Sequence, residues 1–180
     1  MKWIISISLL VVTSCTIDGD KSIDRSKFTF KTGSDTQLFF KNVRQSYYDL
    51  EENKAAKFQV FRFAKRSVNT DKPIFNLAIV NNFLKDEAYL LLEPNQSTGD
   101  IPYKIISTND STKVSRTILL AAQNRETTLN FAADIYDEIK LGNQLQLSIG
   151  DTLIDILDNH QEREAFRITV SDYLRLTRVF

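Results

Sequence analysis

Asp134, Asp137 and Glu138 stand at i, i+3 and i+4, a spacing that gathers three carboxylates on one side of a helix. Carboxylates so grouped could offer oxygen ligands to a hard cation or supply the acid and base of a hydrolysis. A solvated helix face carries the same pattern, and a catalytic pair also needs a cleft and shifted pKa values. The rest of the catalytic repertoire is sparse. His160 is the single histidine; it sits in the polar turn Asp158-Asn159-His160-Gln161 and reads as a solvated residue at a helix start. It leaves no multi-histidine metal site. Cys15 is the single cysteine, so the chain has no internal disulfide and must hold together by burial. There is no G-x-S-x-G elbow, no phosphate-binding glycine loop and no H-E-x-x-H motif, and the chain has only five glycines. The residue types therefore point to a non-catalytic protein with no metal and no cofactor.

Cys15 has a second meaning in its own context. Lys2 supplies a positive start, and residues 3–12 supply an apolar run of signal-peptide length, too short to span a bilayer. Val12-Thr13-Ser14-Cys15 then follows: a branched apolar residue, two small residues and a cysteine. This stretch resembles the lipobox of bacterial lipoproteins. The resemblance implies that residues 1–14 are a signal peptide, that the mature chain begins at Cys15, and that the Cys15 thiol carries diacylglycerol. Two or more acyl chains suffice for stable anchoring, and no later apolar run approaches the roughly 18 residues of a membrane span. An acylated Cys15 is no nucleophile. Thr16, where inner-membrane retention would place Asp, points to the outer membrane, with its periplasmic or surface face left open. Asp18 and Asp20, split by Gly19, are a broken version of the acidic patches that mark surface export. The resemblance ends at residue 15, and residues 15–27 read as the lipidated cysteine and a polar tether.

Charge bounds the partners. The chain carries 23 basic and 23 acidic side chains, and residues 1–14 contain only Lys2 among them. A neutral chain lacks the strongly basic face that nucleic acid requires, so no nucleic-acid partner is expected. Residues 28–180 have the length and apolar content of a single globular domain.

Periodicity predicts the elements that position these side chains. Residues 28–31, 58–63, 74–80, 88–92, 103–106 and 116–120 read as strands, about six in number. Residues 81–87 form the long polar turn of a hairpin. Residues 38–50 fit two periods: Phe40, Val43, Tyr47 and Leu50 suit a helix, whereas Phe39, Val43 and Tyr47 suit one face of a strand. Aromatic density, with Lys41, Arg44 and Gln45 outward, tips the reading to a strand.

The last third changes character. Residues 128–141 read as an amphipathic helix with Ala132, Ile135, Tyr136 and Ile139 inward, the acidic face outward and Gly142 as its stop. Gly150-Asp151 marks a tight hairpin. Asn159 with Glu162 predicts a capped final helix, docked by Phe166, Val170 and Tyr173, with Arg163, Arg167, Arg175 and Arg178 as an exposed basic stripe. A strand over residues 166–170 is the competing reading. The expected class is α+β: an antiparallel sheet or sandwich, then helix, β-hairpin and C-terminal helix.

Phe39, Phe40, Tyr47, Tyr48, Phe58, Phe61 and Phe63 are dense enough for a stacking platform, yet sheet packing takes such rings first. Tyr48 and Phe61 turned outward would reverse that reading. The leading functional expectation is a membrane-anchored, non-catalytic binding or accessory lipoprotein of the bacterial cell envelope, with an envelope protein as partner. The alternative is a carboxylate-dependent envelope hydrolase built on the acidic face. The basic stripe could turn the domain toward anionic headgroups or an acidic partner.

Overall fold

Alternating side chains build two sheets and two amphipathic helices cover them in the computed structural model, which describes residues 22–68, 72–95 and 102–180. The expected signal peptide, Cys15 and most of the expected tether lie outside these residues. β1 (Tyr48–Asn53), β2 (Phe58–Phe63), β3 (Phe75–Asn82) and β4 (Glu87–Pro94) form an antiparallel sheet in that order. β5 (Tyr103–Thr108), β6 (Ser115–Leu120), β7 (Gln144–Ile149) and β8 (Thr152–Asp155) form a second, ordered β6-β5-β7-β8. With α1 (Ser34–Phe39), α2 (Arg125–Lys140) and α3 (His160–Leu176), the class is α+β, and helix, hairpin and helix close the chain as expected.

Local chemistry sets the boundaries. Asn124 caps α2 by accepting from the Glu126 and Thr127 amides, and Asn159 caps α3 by accepting from the Glu162 amide. Gly142, at φ +72°, ends α2: its own amide and that of Asn143 donate to the Ile139 and Glu138 carbonyls. α2 packs on β4, β6 and β7, and α3 packs on β3, β4 and α2. The core they enclose joins Phe61, Ile79 and Leu90 of the first sheet to Ile105 and Leu147 of the second, through Tyr136, Phe166 and Tyr173. Ile23, inside the expected tether, packs against this core. Among the described residues no helix is long and apolar enough to cross a membrane.

Two segments depart from the sequence reading. Residues 28–31 are not a strand: Lys31 makes a single bridge to Glu87, while Phe30 accepts from the Ala88 amide. The segment thereby covers part of the outer edge of β4, which would otherwise stand open to other chains. Residues 38–47 are helical rather than extended. α1 runs into a π-type turn (Phe40–Arg44) and a 3₁₀ turn (Gln45–Tyr47), and β1 begins only at Tyr48. Of this segment only Phe40 enters the core, with Leu38, Phe39, Val43 and Tyr47 left exposed, so neither a helical nor a strand period is satisfied. The widened turn, in which the Gln45 amide reaches the Phe40 carbonyl, lets Phe40 point inward while Arg44 reaches α3.

Candidate functional site

α2 does bring Asp134, Asp137 and Glu138 together, but arginines occupy them. Arg25 Nη2 lies 2.8 Å from Asp134 and 3.1 Å from Asp137, and Arg116 spans Asp134 at 2.7 Å and Glu138 at 3.2 Å. Glu138 is not on the solvent face. It is 5% exposed, and its Oε2 accepts from Ser107 Oγ and Asn143 Nδ2 at 2.6 Å each. Ser107 comes from β5 and Asn143 from the turn after α2, so tertiary packing covers the last turn of a stripe that periodicity places outward. Among the described residues no group of His, Cys, Asp or Glu is placed to hold a metal ion. Glu138→Gln is expected to cost about 1.5–3 kcal/mol, as for a buried charged hydrogen-bond acceptor. Asp137→Asn, more than a third exposed, should stay within about 0.5 kcal/mol. Urea midpoints measure both, and equal midpoints would return Glu138 to the solvated face.

The basic stripe is likewise corrected. Arg163 Nε donates to the Leu157 carbonyl and Nη2 to the Asn143 carbonyl. Arg167 pairs with Glu164 and Arg175 with Asp172, a fifth or less of each arginine side chain being exposed. Arg178 lies beyond the helix at φ +61° and pairs with Asp35. α3 packs against α2 and the first sheet, so its arginines lie along the domain surface and bind within it. Phe166, Val170 and Tyr173 are buried as expected.

Sequence reasoning missed a buried polar cluster toward the C-terminal end of α3. Asp172 accepts the Tyr48 hydroxyl at 2.6 Å and the Arg44 Nε at 2.8 and 3.0 Å. Burial, more than its neighbours, governs both acids: it holds the Asp172 carboxyl above its ordinary range and, with the Asp172 charge, pushes the Tyr48 hydroxyl well up. Tyr48 and Phe61 are therefore core residues, and the platform reading fails at both positions. The sequence signal was a lone Asp among apolar neighbours on α3.

Above this cluster opens a groove of about 780 Å³, within the range of ligand sites. Three separate segments line it: residues 44–47 of the irregular helical turns, residues 63–66 after β2, and residues 160–168 of α3. Tyr47, half-exposed, Phe63 and Ile168 give it an apolar floor, and Arg44 stands 4.7 Å from the centre of the Tyr47 ring. Its charged lining is Arg44, Lys65 and Arg66 against Glu164, with His160 exposed at the first turn of α3. Arg44 and Arg66 enter already paired, to Asp172 and Asp49. Gln161 Nε2 donates to the Lys65 carbonyl and ties α3 to the β2 exit. A π-type turn beside a groove is a recurring feature of functional sites. The arrangement can bind an anionic group over a ring; it holds no paired, unengaged carboxylates for hydrolysis. Comparison with known proteins finds no matching family model, no matching curated protein and no matching solved structure.

Proposed function

We propose that this protein is a lipid-anchored, non-catalytic binding protein of the bacterial cell envelope, attached through Cys15 on the outer membrane. Its groove receives an acidic segment of an envelope protein. The fate of the carboxylates carries the binding reading: Asp134, Asp137 and Glu138 are taken up by Arg25, Arg116, Ser107 and Asn143. Such engagement supports a structural role over acid-base work. The groove supports a partner of the stated charge through Lys65, since Arg44 and Arg66 beside the same apolar floor are already engaged by Asp172 and Asp49. The anchor rests on Lys2, the apolar run and Val12-Thr13-Ser14-Cys15.

A photo-crosslinking side chain at position 160 of the full chain, which is exposed on the groove wall, tests the groove when the protein is expressed in its native envelope. The expected result is a discrete crosslinked protein that disappears when Tyr47→Ala and Arg66→Glu are added. A crosslink that survives those changes, or none at all, overturns the groove as the partner site. For the anchor, Cys15→Ser is expected to abolish acylation and move the protein out of the membrane fraction. Unchanged partition, with no acyl mass on the wild type, would sink the lipoprotein reading.

A further inference from the structure

The outer edges of the two sheets are not equally defended. Residues 30–32 run beside β4 and exchange backbone bonds with Ala88 and Asp86. β1 carries Asp49, Glu51 and Glu52, all exposed, and β8 has only four residues. Covering segments, charged side chains and short strands are the usual protection against edge-to-edge pairing. β6 (Ser115–Leu120) has six residues and no acid, proline or glycine, and among the described residues no strand pairs with its free side.

The hydrogen-bond phase shows which groups that side presents. Val114 accepts the Asn109 amide where the β5–β6 hairpin closes, in register with the pairs from Ser115 to Leu120. Alternation then commits Arg116, Ile118 and Leu120 to the ladder with β5 and turns the N–H and C=O of Ser115, Thr117 and Leu119 to the open side. The far end of the sheet fixes the same phase. There the Ile156 amide donates to Leu145, so β7 meets β8 through its odd-numbered residues and β5 through its even-numbered ones, which leaves Ile105 and Ser107 to bond β6. The Ser115, Thr117 and Leu119 side chains are all exposed. Arg116 is the one charge on β6, and Asp134 and Glu138 of α2 hold its guanidinium, so the edge is neutralised from within.

We propose that β6 pairs antiparallel with β6 of a second copy of this chain, about a two-fold axis at Thr117, joining two four-stranded sheets into one. A copy is the occupant because the strand complements itself. With the axis at Thr117, Ser115 meets the copy's Leu119 and Thr117 meets its own counterpart, each pair exchanging both backbone bonds. This register engages all three open residues of both chains. Arg116 falls opposite the copy's Ile118, so no like charges stand directly across the axis. Leu119, 59% exposed on the outer face of the sheet, gains the copy's Ser115 and Thr117 as neighbours. The pairing depends on neither the groove nor the anchor.

Disulfide trapping of the full chain, by mild oxidation of the cells that make it, tests the register against the wild type, which keeps Cys15 as background. Thr117→Cys sets two thiols on a hydrogen-bonded pair with Cα atoms about 5.5 Å apart, within disulfide reach. It is expected to give a linked dimer in about tenfold the yield of Ser115→Cys or Leu119→Cys alone, whose like thiols stand about 13 Å out of register. Ser115→Cys with Leu119→Cys in one chain should link as well as Thr117→Cys. Adding Thr117→Pro to that double variant should cut the yield about tenfold, since this N–H is spare within the sheet but donates to the copy. If the proline variant does not fold, Thr117→Lys decides: it opposes two like charges and should cut the yield about fivefold. Equal yields at the three single positions, or linking by the double variant that survives the change at Thr117, overturns the pairing. No linked dimer from Thr117→Cys or the double variant overturns it too, and leaves the edge to a strand of another protein.

Discussion

Phe166→Ala is expected to lower the unfolding free energy by about 3–5 kcal/mol. The ring is 2% exposed and belongs to the cluster that joins α3 to the first sheet and to α2. Truncation removes its transfer energy and leaves a cavity that α3 cannot close, because Val170 and Tyr173 one and two turns on are fully buried as well. Arg167→Ala is the control on the same helix. Its loss breaks an i,i+3 pair with Glu164 at the domain surface and should cost under about 1 kcal/mol. Urea midpoints at constant slope separate the two. A Phe166 shift no larger than that of Arg167 would mean that the ring does not fasten α3 to the core.

The elements with strong single periods were legible. β3 and β4 around their polar turn, the Gly150 hairpin, α2 with its Gly142 stop and α3 with its Asn159 cap all follow from local chemistry. Residues 38–47 were not, because they obey neither period: a π-type turn moves Phe40 inward and Arg44 sideways, and no count of i+2 or i+4 positions reports that. Side-chain environment was less legible than secondary structure. Glu138 has the spacing of a solvated acid, but Ser107 on β5 and Asn143 beyond the helix claim it. The arginines of α3 keep a helical spacing, but α3 packs so extensively that their guanidinium groups bind within the domain.

The groove could not be read from the chain, for a related reason. The groove beside Tyr47 is assembled from residues 44–47 and 63–66 together with residues 160–168, far along the chain, and its floor includes Tyr47, which looked like one more core aromatic. Asn81 fell in the segment assigned to a polar turn, whereas β3 continues through Asn82 and carries Asn81 onto the core face.

Asp172→Ala should destabilise the fold by about 3 kcal/mol or somewhat more, because it leaves Arg44, Arg175 and the Tyr48 hydroxyl without their shared acceptor. The arginines are each about a fifth exposed and can reach some water, which keeps the cost toward the lower end of that for broken buried pairs. Asp172→Asn retains a carbonyl oxygen for Tyr48 and Arg44 and should cost less. Its pH dependence has a definite sign. Burial outweighs Tyr48, Arg44 and Arg175 and holds the Asp172 carboxyl above its ordinary value of 3.8. Between that value and the raised one, the folded protein keeps a proton that the unfolded chain has released, so stability falls as pH rises through this window. Asparagine has no such dependence. The margin of the wild type over Asp172→Asn should therefore shrink as pH is raised from about 3.5 to about 7. Glu87, Asp158 and Glu164 are held low by Lys31, Lys72 and Arg167 and lose their contribution as pH falls, but they titrate in both proteins and cancel from the difference. A margin that widens with pH would mean that Arg44 and Arg175 outweigh burial, and that the cluster is a stabilising ion pair rather than a charge held in the core at a cost.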